Sequence, residues 1–450
     1  MNVLVLGSGG REHAIAWKIK QSKDCTNLYC MPGNPGTAVI AENIAGDIND
    51  FETIKEQVIK YAVEMVVVGP EDPLVAGLAN WFEQDDQLKN VLFIGPQKTG
   101  AMLEGSKDFA KEFMIKHHIP TAAYKSFTAA TLQQADQFID TLNPPYVLKA
   151  DGLAAGKGVL ILDSEAQAKA ELRNMVGGKF GAAGNTVVIE QFLSGIEVSV
   201  FVLTDGNDYM ILPQAKDYKR VGEGDTGLNT GGMGAVSPVP FADEVFMHKV
   251  EQRIIKPTID GLRKDAISYK GFVFIGLMNC GGDPYVIEYN VRMGDPETEA
   301  VMTRIESDLL SHLTAAAKGT LKGEQIKISE KGAVTVVCVS GGYPQGYKKG
   351  VEIAGGDFLF SNAPDSSLKV FHSGTRMEGQ QGGTSYLSCD NNQSCNGKLL
   401  TNGGRVFAVT VNGDSIEQCR EEVYSHIERI CYNGKYFRHD IGFDLLKYIQ

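Results

Sequence analysis

A chain of 450 residues is long enough for about three domains and can bury several hydrophobic cores without disulfide staples. Its hydrophobic fraction of 43% and charged fraction of 22% are those of a globular protein, which excludes a disordered chain, a collagen-like fibre and a coiled coil. The net charge of −12 argues against a nucleic-acid partner, because binding to a phosphate backbone needs a basic face.

Glycine is over-represented and clustered. The 51 glycines are about 11% of the chain, against an average usage of about 7%. The clusters lie in short segments without a collagen period, which places them in loops. A residue without a Cβ lets the backbone approach a ligand closely, so these loops are candidate binding segments.

The sequence carries no pattern typical of membrane or exported proteins. No apolar run reaches the roughly 18 residues of a membrane span, so we expect no membrane partner. The first ten residues indicate a strand entering a turn and lack the basic and apolar regions of an export signal. Eight cysteines without a CxxC pair predict free thiols, not a disulfide framework or a zinc ribbon. We therefore expect a cytoplasmic protein.

Strand and helix patterns alternate through the first hundred residues. Apolar strands are predicted at 2–7, 27–33, 65–71 and 91–96, with helices at 11–22 and 51–62. Apolar strands separated by helices predict a parallel sheet that is covered on both faces. An amphipathic helix follows at about 105–120, with Ser106 as its N-cap and Pro120 ending it.

The middle and the end of the chain predict mixed α+β units. A strand, a glycine loop and a strand span 145–162, and a helix at 165–175 and a strand at 186–193 complete a small unit. The next unit has strands at 271–278 and 285–292, with helices around 243–265 and 297–318. From about 330 the pattern is rich in strands and closes with a helix at 416–430. The polar stretch 377–397 predicts a surface loop.

Three loops follow the first three strands of the predicted parallel sheet. The first, Gly7-Ser8-Gly9-Gly10-Arg11-Glu12, begins a helix and can present N–H groups to an anion. NAD is not indicated, because the third glycine of GxGxxG would fall at Glu12 and no acidic residue ends the second strand. The second and third loops are 33–37 and 69–71. Open α/β sheets bind ligands at this edge, although a glycine turn that serves packing alone is the alternative for the first loop.

A second glycine loop joins two strands between Lys149 and Gly158. It is not a Walker A loop, because that motif would need glycine at Asp151 and serine or threonine at Gly158. Lys149 and Lys157 flank a run of small residues that can fold over phosphate groups. The alternative is a glycine hairpin with solvated lysines.

The strand ending in Glu288-Tyr289-Asn290-Val291-Arg292 carries three polar side chains at every second position. Alternation places Glu288, Asn290 and Arg292 on one face. A carboxylate and an amide oxygen suit Mg²⁺, and an arginine there can bind phosphate or carboxylate in a fork. A solvent-facing polar strand is the alternative. The segment 225–234 is a further glycine-rich loop without a helix or strand pattern, and such loops are usually functional or disordered.

Taken in order, these motifs resemble the phosphoribosylamine–glycine ligases (glycinamide ribonucleotide synthetases) of the ATP-grasp superfamily. The resemblance runs from LGSGGREHA near the start to TNGGRV and RHDIG near the end. Between them lie PGNPGT, VGPEDPL, LEGSKDF, KADGLAAGKGV, DYKRVGEGDTG, NTGGMGAVSP and EYNVRMGDPET.

The resemblance implies an α/β and α+β multidomain fold. Residues 1–104 would form an N-terminal parallel-sheet, pre-ATP-grasp domain that binds substrate. Residues 105–328 would form a two-lobed ATP-grasp domain, with a small lobe at about 122–194 and a large lobe at about 195–328. Residues 329–450 would form a small, strand-rich C-terminal α+β domain.

The resemblance also implies roles for individual residues. ATP would be bound by Lys107, Lys149, Gly152, Gly156, Lys157 and Gly158 at its phosphates, by Glu190 and Leu193 at adenine, and by Glu197 at ribose. Mg²⁺ or Mn²⁺ would be bound by Glu288 and Asn290. The residues implied in catalysis are Arg292, Lys149, Asp217, Lys219 and Arg220. The residues implied in substrate binding are Gly9, Gly10, Arg11, Gly33, Asn34, Gly69, Pro70, Glu71, Asn229, Thr230, Gly231, Gly232 and Met233.

The implied reaction joins glycine to 5-phosphoribosylamine with ATP, through glycyl phosphate, as the second step of purine synthesis. Its partners would be these small molecules, and the protein would be a monomer, with a dimer as the alternative. Other candidates are another ATP-grasp carboxylate–amine ligase or carboxylase, and a non-catalytic nucleotide-binding protein. Tyr218 and Leu228 depart from residues that are frequent in the family, histidine and proline, which leaves local contacts there open.

Overall fold

The N-terminal domain is a five-stranded parallel sheet with strand order β3-β2-β1-β4-β5, which confirms the predicted parallel sheet. Its strands are β1 Asn2–Gly7, β2 Asn27–Pro32, β3 Glu42–Asn43, β4 Met65–Val68 and β5 Leu92–Ile94. Its helices are α1 Gly10–Lys20, α2 Phe51–Lys60, α3 Asp72–Ala76, α4 Leu78–Gln84 and α5 Lys98–Gly105. The central strands are buried along nearly their whole length because helices cover both faces of the sheet.

This computed structural model describes residues 1–153, 158–360, 362–379 and 397–449. Gly156 and Lys157 of the predicted ATP loop, and most of the polar stretch 377–397, lie outside the described residues. No helix in the described ranges is both long enough and apolar enough to traverse a lipid bilayer.

Helix α6, Lys107–Lys116, leads into a small antiparallel lobe. The Ser106 hydroxyl accepts a hydrogen bond from the Phe109 N–H, so the predicted N-cap is confirmed. The lobe has strand order β6-β9-β7-β8 and its own hydrophobic core. Its elements are β6 Tyr124–Thr128, α7 Leu132–Ile139, β7 Tyr146–Ala150, β8 Val159–Leu162, α8 Glu165–Asn174 and β9 Thr186–Gln191.

The large lobe is an antiparallel sheet with strand order β11-β10-β16-β17. Its strands are β10 Ile196–Thr204, β11 Tyr209–Ile211, β16 Gly271–Cys280 and β17 Asp283–Asn290. Its helices are α9 Glu244–Val250, α10 Lys256–Lys264, α11 Glu297–Arg304 and α12 Leu309–Lys318. The helix predicted at 297–318 is divided in two, because Asp308 caps a new helix at the Ser311 N–H.

The last sheet combines two parts of the chain. It has strand order β12-β15-β18-β22-β19, and β12 and β15 come from the segment predicted as the large lobe. Its strands are β12 Lys216–Asp217, β15 Gly234–Ser237, β18 Gly332–Val339, β19 Leu368–His372 and β22 Arg405–Gly413, and α13 Ile416–Glu428 packs on it. Two hairpins are β13 Arg220–Gly222 with β14 Thr226–Asn229, and β20 Thr375–Met377 with β21 Leu399–Thr401. The C-terminal domain therefore shares a sheet with the segment of the candidate catalytic residues.

Short helical segments complete the described fold. The 3₁₀ helices are Thr37–Val39, Ala129–Thr131, Gly181–Gly184, Asp357–Phe360 and Phe443–Tyr448, and π-helical turns are Met175–Lys179 and Glu251–Ile255.

Two buried histidines join the N-terminal and C-terminal domains. Helix α1 lies against α11 and β19, where Nδ1 of His13 accepts a hydrogen bond of 2.9 Å from the His372 N–H. The His372 ring contacts the Leu359 carbonyl at 2.9 Å and the Thr375 hydroxyl at 3.0 Å. Burial lowers the pKa of both histidines, that of His372 to about 4. The interface is therefore built for neutral imidazoles.

Acidification should weaken this interface. Between pH 6.5 and 4 the unfolded chain binds a proton at His372 that the folded chain refuses, so stability falls as the pH falls, by about 2 kcal/mol at pH 5 for this residue. Urea unfolding at pH 7.5 and pH 5 measures the loss. His372→Gln, which cannot titrate, should lose about 2 kcal/mol less over this interval than the native chain. The exposed His248→Gln is the matched control; equal pH dependence of all three proteins would refute the prediction.

Candidate active site

A pocket of about 280 Å³ opens at the carboxyl edge of the N-terminal parallel sheet. It is lined by Gly7, Ser8, Gly9, Glu12, Pro32, Gly46, Asp47, Ile48 and Pro70. The loop ends after β1, β2 and β4 thus meet as predicted, and Gly9 and Pro70 lie in the wall. The sequence patterns did not predict residues 46–48 as part of a binding site, because these residues follow a strand of only two residues, which shows no hydrophobic periodicity.

Glu12 lies beneath this pocket and explains the neighbouring glycines. Its Oε2 accepts a hydrogen bond of 2.6 Å from the Gly9 N–H, and its Oε1 one of 2.5 Å from Nε of Arg11. A Cβ at position 69 would lie 2.1 Å from Glu12 Oε1, so Gly69 is required by close approach. The Gly9 N–H and the Arg11 side chain, predicted to bind substrate, are thus engaged within the protein. Arg11 also donates to the Met293 carbonyl at 3.3 Å.

The other predicted residues of these loops lie behind the pocket. Asn34 is buried, and its Nδ2 donates to the carbonyls of Ser8 and His372, both at 2.9 Å. Gly33 adopts a left-handed turn before it, and Gly10 packs on Glu299. These residues hold the loops in place and contact the neighbouring domains.

Arg292 connects the N-terminal domain to the end of β17. Its Nε donates to Glu71 at 3.1 Å, and its Nη2 donates to Glu104 at 2.6 Å. These carboxylates, opposed by burial, raise the pKa of Arg292 above its ordinary value. The predicted substrate residue Glu71 and the predicted catalytic residue Arg292 are therefore in direct contact.

Glu288 and Asn290 lie beside this arginine on β17, on the strand face that the sequence predicts. Glu288 is about one third exposed, with a side-chain exposure of 32%. Burial opposes ionisation of Glu288, but the ammonium groups of Lys219, Lys149 and Lys107 hold its pKa below the ordinary value. Asn290 Oδ1 accepts from Nη2 of Arg292 at 3.2 Å. An ionised carboxylate with an amide oxygen is a donor set that a divalent cation accepts.

No group of three or more His, Cys, Asp or Glu side chains suited to a metal ion occurs within the described ranges. A cation at Glu288 and Asn290 would therefore need further ligands, and phosphate oxygens and water are those that Mg²⁺ ordinarily takes. The residues fit a metal that arrives with a nucleotide.

Three buried charges lie between the small lobe and β17. Glu190 is 3% exposed, and its two carboxylate oxygens each lie 2.9 Å from a lysine ammonium, that of Lys149 and that of Lys111. Burial would raise the pKa of Glu190, but the two lysines hold it low. Burial in turn lowers the pKa of Lys111 to about 8. Lys149 also donates to the Ile287 carbonyl of β17 at 3.2 Å, so the network fixes Lys149 beside Glu288.

The sequence patterns did not predict Lys111 as a site residue, because the amphipathic pattern of α6 indicated only a helix that packs on the core. The available signal was its spacing, since it lies one turn after Lys107. Lys107 itself lies at the start of α6, and its Nζ donates to the Gly152 carbonyl at 3.3 Å. Burial lowers the pKa of Lys107.

The described ends of the glycine loop are tied to the rest of the domain. The Asp151 carboxylate accepts from the Ser106 hydroxyl at 3.0 Å and from the Asp108 N–H at 2.8 Å, and Gly158 closes the strand pair through its carbonyl on the Ala150 N–H at 2.8 Å. Gly152 and Gly158, which are predicted to bind phosphate, therefore lie at the two described ends of this loop.

Leu193 lies in the connection between β9 and β10, and Glu197 is the second residue of β10. Leu193 is half-buried, and Glu197 is exposed. Glu197 lies 3.1 Å from the Lys219 ammonium, which also approaches Glu288 at 3.7 Å. The attraction of Glu197 is the main cause of a raised pKa for Lys219.

Asp217, which is half-buried, and Glu297, which is buried, form an acidic pair at the base of the 229–234 loop. Asp217 Oδ1 is buried without a hydrogen-bond partner among the described residues. Glu297 Oε1 accepts from the Ser199 hydroxyl at 3.0 Å. Burial and their mutual repulsion raise the pKa of Asp217, and burial raises that of Glu297. Two acids so placed can share a proton or receive a cationic amine.

The C-terminal domain holds the glycine loop over this pair. Arg405 donates to the Gly231 carbonyl at 2.6 Å, and the Tyr343 hydroxyl accepts from the Gly231 N–H at 3.0 Å. A Cβ on Gly232 would lie 2.9 Å from Asp217 Oδ1, so glycine permits the close approach. Sequence reasoning missed Arg405 and Tyr343, which lie more than a hundred residues from the loop.

The remaining predicted residues of this segment support the loop. The Thr230 hydroxyl donates to the Lys219 carbonyl at 2.8 Å, and Arg220 donates to the Gly227 carbonyl at 2.7 Å within the β13–β14 hairpin. Asn229 ends β14 opposite Arg220, and Met233 is buried. The Lys219 ammonium therefore contacts Glu197 and approaches Glu288, whereas the Arg220 side chain binds its own hairpin.

The two departures from the family pattern have different surroundings. Tyr218 is buried, and its hydroxyl donates to Asp444 at 2.5 Å, which ties β12 to the C-terminal end of the chain. Leu228 is exposed on the β13–β14 hairpin.

Family models of phosphoribosylglycinamide synthetase match three consecutive parts of the chain. The N domain model matches residues 1–104, the ATP-grasp (A) domain model residues 105–298 and the C domain model residues 333–444. These matches confirm the predicted fold class of three successive units.

Individual relatives match the sequence of this protein over nearly its whole length. The chain is 42% identical over 448 residues to the phosphoribosylamine–glycine ligase of Agrobacterium fabrum, covering 99% of both proteins. It is 41% identical over 449 residues to the bifunctional purine biosynthetic protein PUR2,5 of Pichia angusta, covering 98% of this chain but 53% of that protein. The crystal structure of phosphoribosylamine–glycine ligase from Thermotoga maritima superposes with a TM-score of 0.80 at 34% identity, covering 98% of this chain and all of that one. The recognised resemblance is thereby confirmed.

Proposed function

Because the chain belongs to the phosphoribosylglycinamide synthetase family, we propose that it joins glycine to 5-phosphoribosylamine at the expense of ATP, giving glycinamide ribonucleotide, ADP and phosphate. This is the second step of purine synthesis. The observation that carries the proposal is the contact of Arg292 with Glu71, because it joins the end of the candidate metal strand to a loop at the edge of the N-terminal sheet, beside Pro70 of the pocket wall.

The chemistry needs an activated carboxylate. A glycine carboxylate is a poor electrophile, so ATP first phosphorylates it to glycyl phosphate. The amine of phosphoribosylamine then attacks the carbonyl carbon, and the carbon–oxygen bond to phosphate breaks. Phosphoryl transfer of this kind depends on positioning and on stabilisation of spreading negative charge, without a nucleophilic side chain of the enzyme.

The chain's own residues supply these functions. Lys107 and Lys149 would bind the nucleotide phosphates. Their contacts support this role, since Lys107 donates to the Gly152 carbonyl of the glycine loop and Glu190 holds Lys149 in place. Arg292 would stabilise negative charge on the transferred phosphoryl group. Asp217 and Glu297 can receive the amino group of a substrate, since burial leaves this acidic pair without full compensation.

Glu288 and Asn290 would hold Mg²⁺ or Mn²⁺. When bound, the cation neutralises charge on the nucleotide phosphates. The low pKa of Glu288 supports this assignment, because a metal ligand must be deprotonated.

A coupled assay of ADP release tests the proposed reaction. Release should require glycine and freshly generated phosphoribosylamine together, and mass spectrometry should detect glycinamide ribonucleotide in amounts equal to ADP. Alanine or bicarbonate in place of glycine should return the rate to background. Release that is equally fast with bicarbonate would instead identify a carboxylase, and release without any acceptor would exclude the ligase reaction.

We retain two further predictions about the protein in its cell. Cys25, Cys30, Cys280, Cys338, Cys419 and Cys431 are free thiols, which supports a reducing compartment and hence the cytoplasm. A monomer is the predicted assembly, and light scattering of the purified protein distinguishes it from a dimer.

A further inference from the structure

The guanidinium of Arg292 has almost no free hydrogen-bonding capacity. Of its five N–H donors, four are engaged: one at Glu71, one at Glu104, one at Asn290 and one at the Met293 carbonyl. To bind a phosphoryl group through two N–H donors in a fork, the arginine must therefore give up at least one partner. The two carboxylate partners, Glu71 and Glu104, differ in solvent exposure, and this difference decides which of them an incoming anion can replace.

Glu104 and Glu71 differ in burial. The side chain of Glu104 is 6% exposed, and that of Glu71 is 27% exposed. Glu71 lies in the loop after β4 at the solvent-accessible edge of the sheet, where an incoming anion can take its place. Glu104 lies at the end of α5, covered by protein, and has no such route to solvent.

Glu104 has a second contact that Glu71 lacks. Its Oε2 accepts a hydrogen bond of 2.8 Å from the Val291 N–H, while its Oε1 accepts from Arg292 at 2.6 Å. One carboxylate thus holds both the backbone at the end of β17 and the side chain that follows. Only Ser106, the N-cap of α6, separates α5 from α6, so Glu104 at the end of α5 lies three residues before Lys107.

We propose that Glu104 is a positioning residue for phosphoryl transfer, fixing the Arg292 guanidinium and the Val291 backbone while Glu71 is the exchangeable partner. This inference rests on the proposed ligase function. Glu104 does not touch the reacting atoms; it acts through Arg292. The rate of phosphoryl transfer should depend on Glu104, because a small displacement of a positioned catalytic group lowers the rate by up to about 100-fold.

Glutamine cannot replace Glu104 in both contacts. A carboxylate offers acceptor oxygens on both sides, whereas a carboxamide offers one oxygen and one NH₂ donor. In either orientation Glu104→Gln turns a donor toward the Val291 N–H or toward the guanidinium of Arg292. The variant keeps the volume and shape of the side chain and removes one of the two contacts.

The experiment measures kcat and KM for glycine and ATP in the full-length protein, with melting temperature as a fold check. Glu104→Gln should lower kcat by about 10- to 100-fold while both KM values stay within about threefold, because orientation is lost and substrate contacts are not. Glu112→Gln, an exposed glutamate on α6, is the matched control and should behave as the native chain. Should Glu104→Gln not fold, Glu104→Asp, which keeps the charge on a shorter stem, is measured against the same expectation.

A double-mutant cycle separates positioning from a general structural role. In an Arg292→Lys background, Glu104→Gln should change kcat by less than about threefold, since lysine lacks the planar guanidinium whose orientation Glu104 fixes. The same loss in both backgrounds would overturn the proposal, as would an unchanged kcat in the single variant. The native protein alone tests the ligase function on which this proposal rests. If that function is wrong, the native protein will show no glycine-dependent release of ADP, and this result is distinct from any difference between variants.

Discussion

Glu288→Ala should lower the rate of ligation at least about a thousandfold, because the residue is assigned to the cation that stabilises charge on the transferred phosphoryl group, a contribution of about 4 kcal/mol. The fold should persist. Glu288 is partly exposed, and its contact of 3.7 Å with Lys219 is long for an ion pair. Loss of such a pair changes the free energy of unfolding by about 1 kcal/mol or less.

Steady-state ADP release under saturating glycine and phosphoribosylamine measures the effect, together with a Mg²⁺ titration. The matched control is Asp283→Ala. Asp283 lies at the opposite end of β17 from Glu288, and its carboxylate contacts Lys249 and Arg253. This control should keep native activity. Turnover by Glu288→Ala at a rate near that of the native chain would show the metal assignment to be wrong.

Glu190→Ala should destabilise the folded protein by about 3–5 kcal/mol, since it removes one member of a buried charge network and leaves the others uncompensated. The two lysines at 2.9 Å from its carboxylate would remain buried with like charges facing each other. KM for ATP should also rise, because Lys149 loses the group that holds it toward β17.

Urea unfolding monitored by fluorescence measures the stability change. Glu197→Ala, which changes an exposed glutamate on β10, is the control and should change the free energy of unfolding by about 1 kcal/mol or less. Adding Lys111→Met to Glu190→Ala should recover part of the lost stability, because it removes one uncompensated charge. An additive loss in the double variant would contradict the network. The structure pairs Glu190 with two lysines, so its predicted contact with adenine stays a prediction that nucleotide specificity can test.

Local patterns were enough to predict much of the candidate site. Period-two alternation predicted Glu288, Asn290 and Arg292 on one strand face; β17 carries Glu288 and Asn290, whereas Arg292 lies two residues beyond its end and still contacts Asn290. The glycine loops at 7–10 and 33–36 were placed correctly at strand ends. Lys149 was predicted to begin a phosphate-binding segment because it precedes a run of small residues, and that role stays a prediction. Each of these predictions depends on neighbours within about ten residues, which a sequence displays directly.

The missed residues share a different property. Glu104 meets Arg292 across 188 positions of the chain, and Arg405 meets Gly231 across 174. Lys111 is close to Lys149 only because the small lobe folds over α6. No local period or spacing records such pairs, since chain folding alone brings them together.

The sequence by itself determined the parallel sheet, the order of the domains, the strand with the candidate metal ligands and the family to which the chain belongs. Hydrophobic period and glycine spacing are local properties, so they survive in the linear chain. Only the tertiary structure decided which charges are compensated. It showed that Glu12 occupies the space that Gly69 leaves, that Arg292 is shared between Glu71 and Glu104, and that the Oδ1 atom of Asp217 is buried without a hydrogen-bond partner among the described residues. Charge compensation depends on distance and burial, and both are fixed when the three domains close on one another.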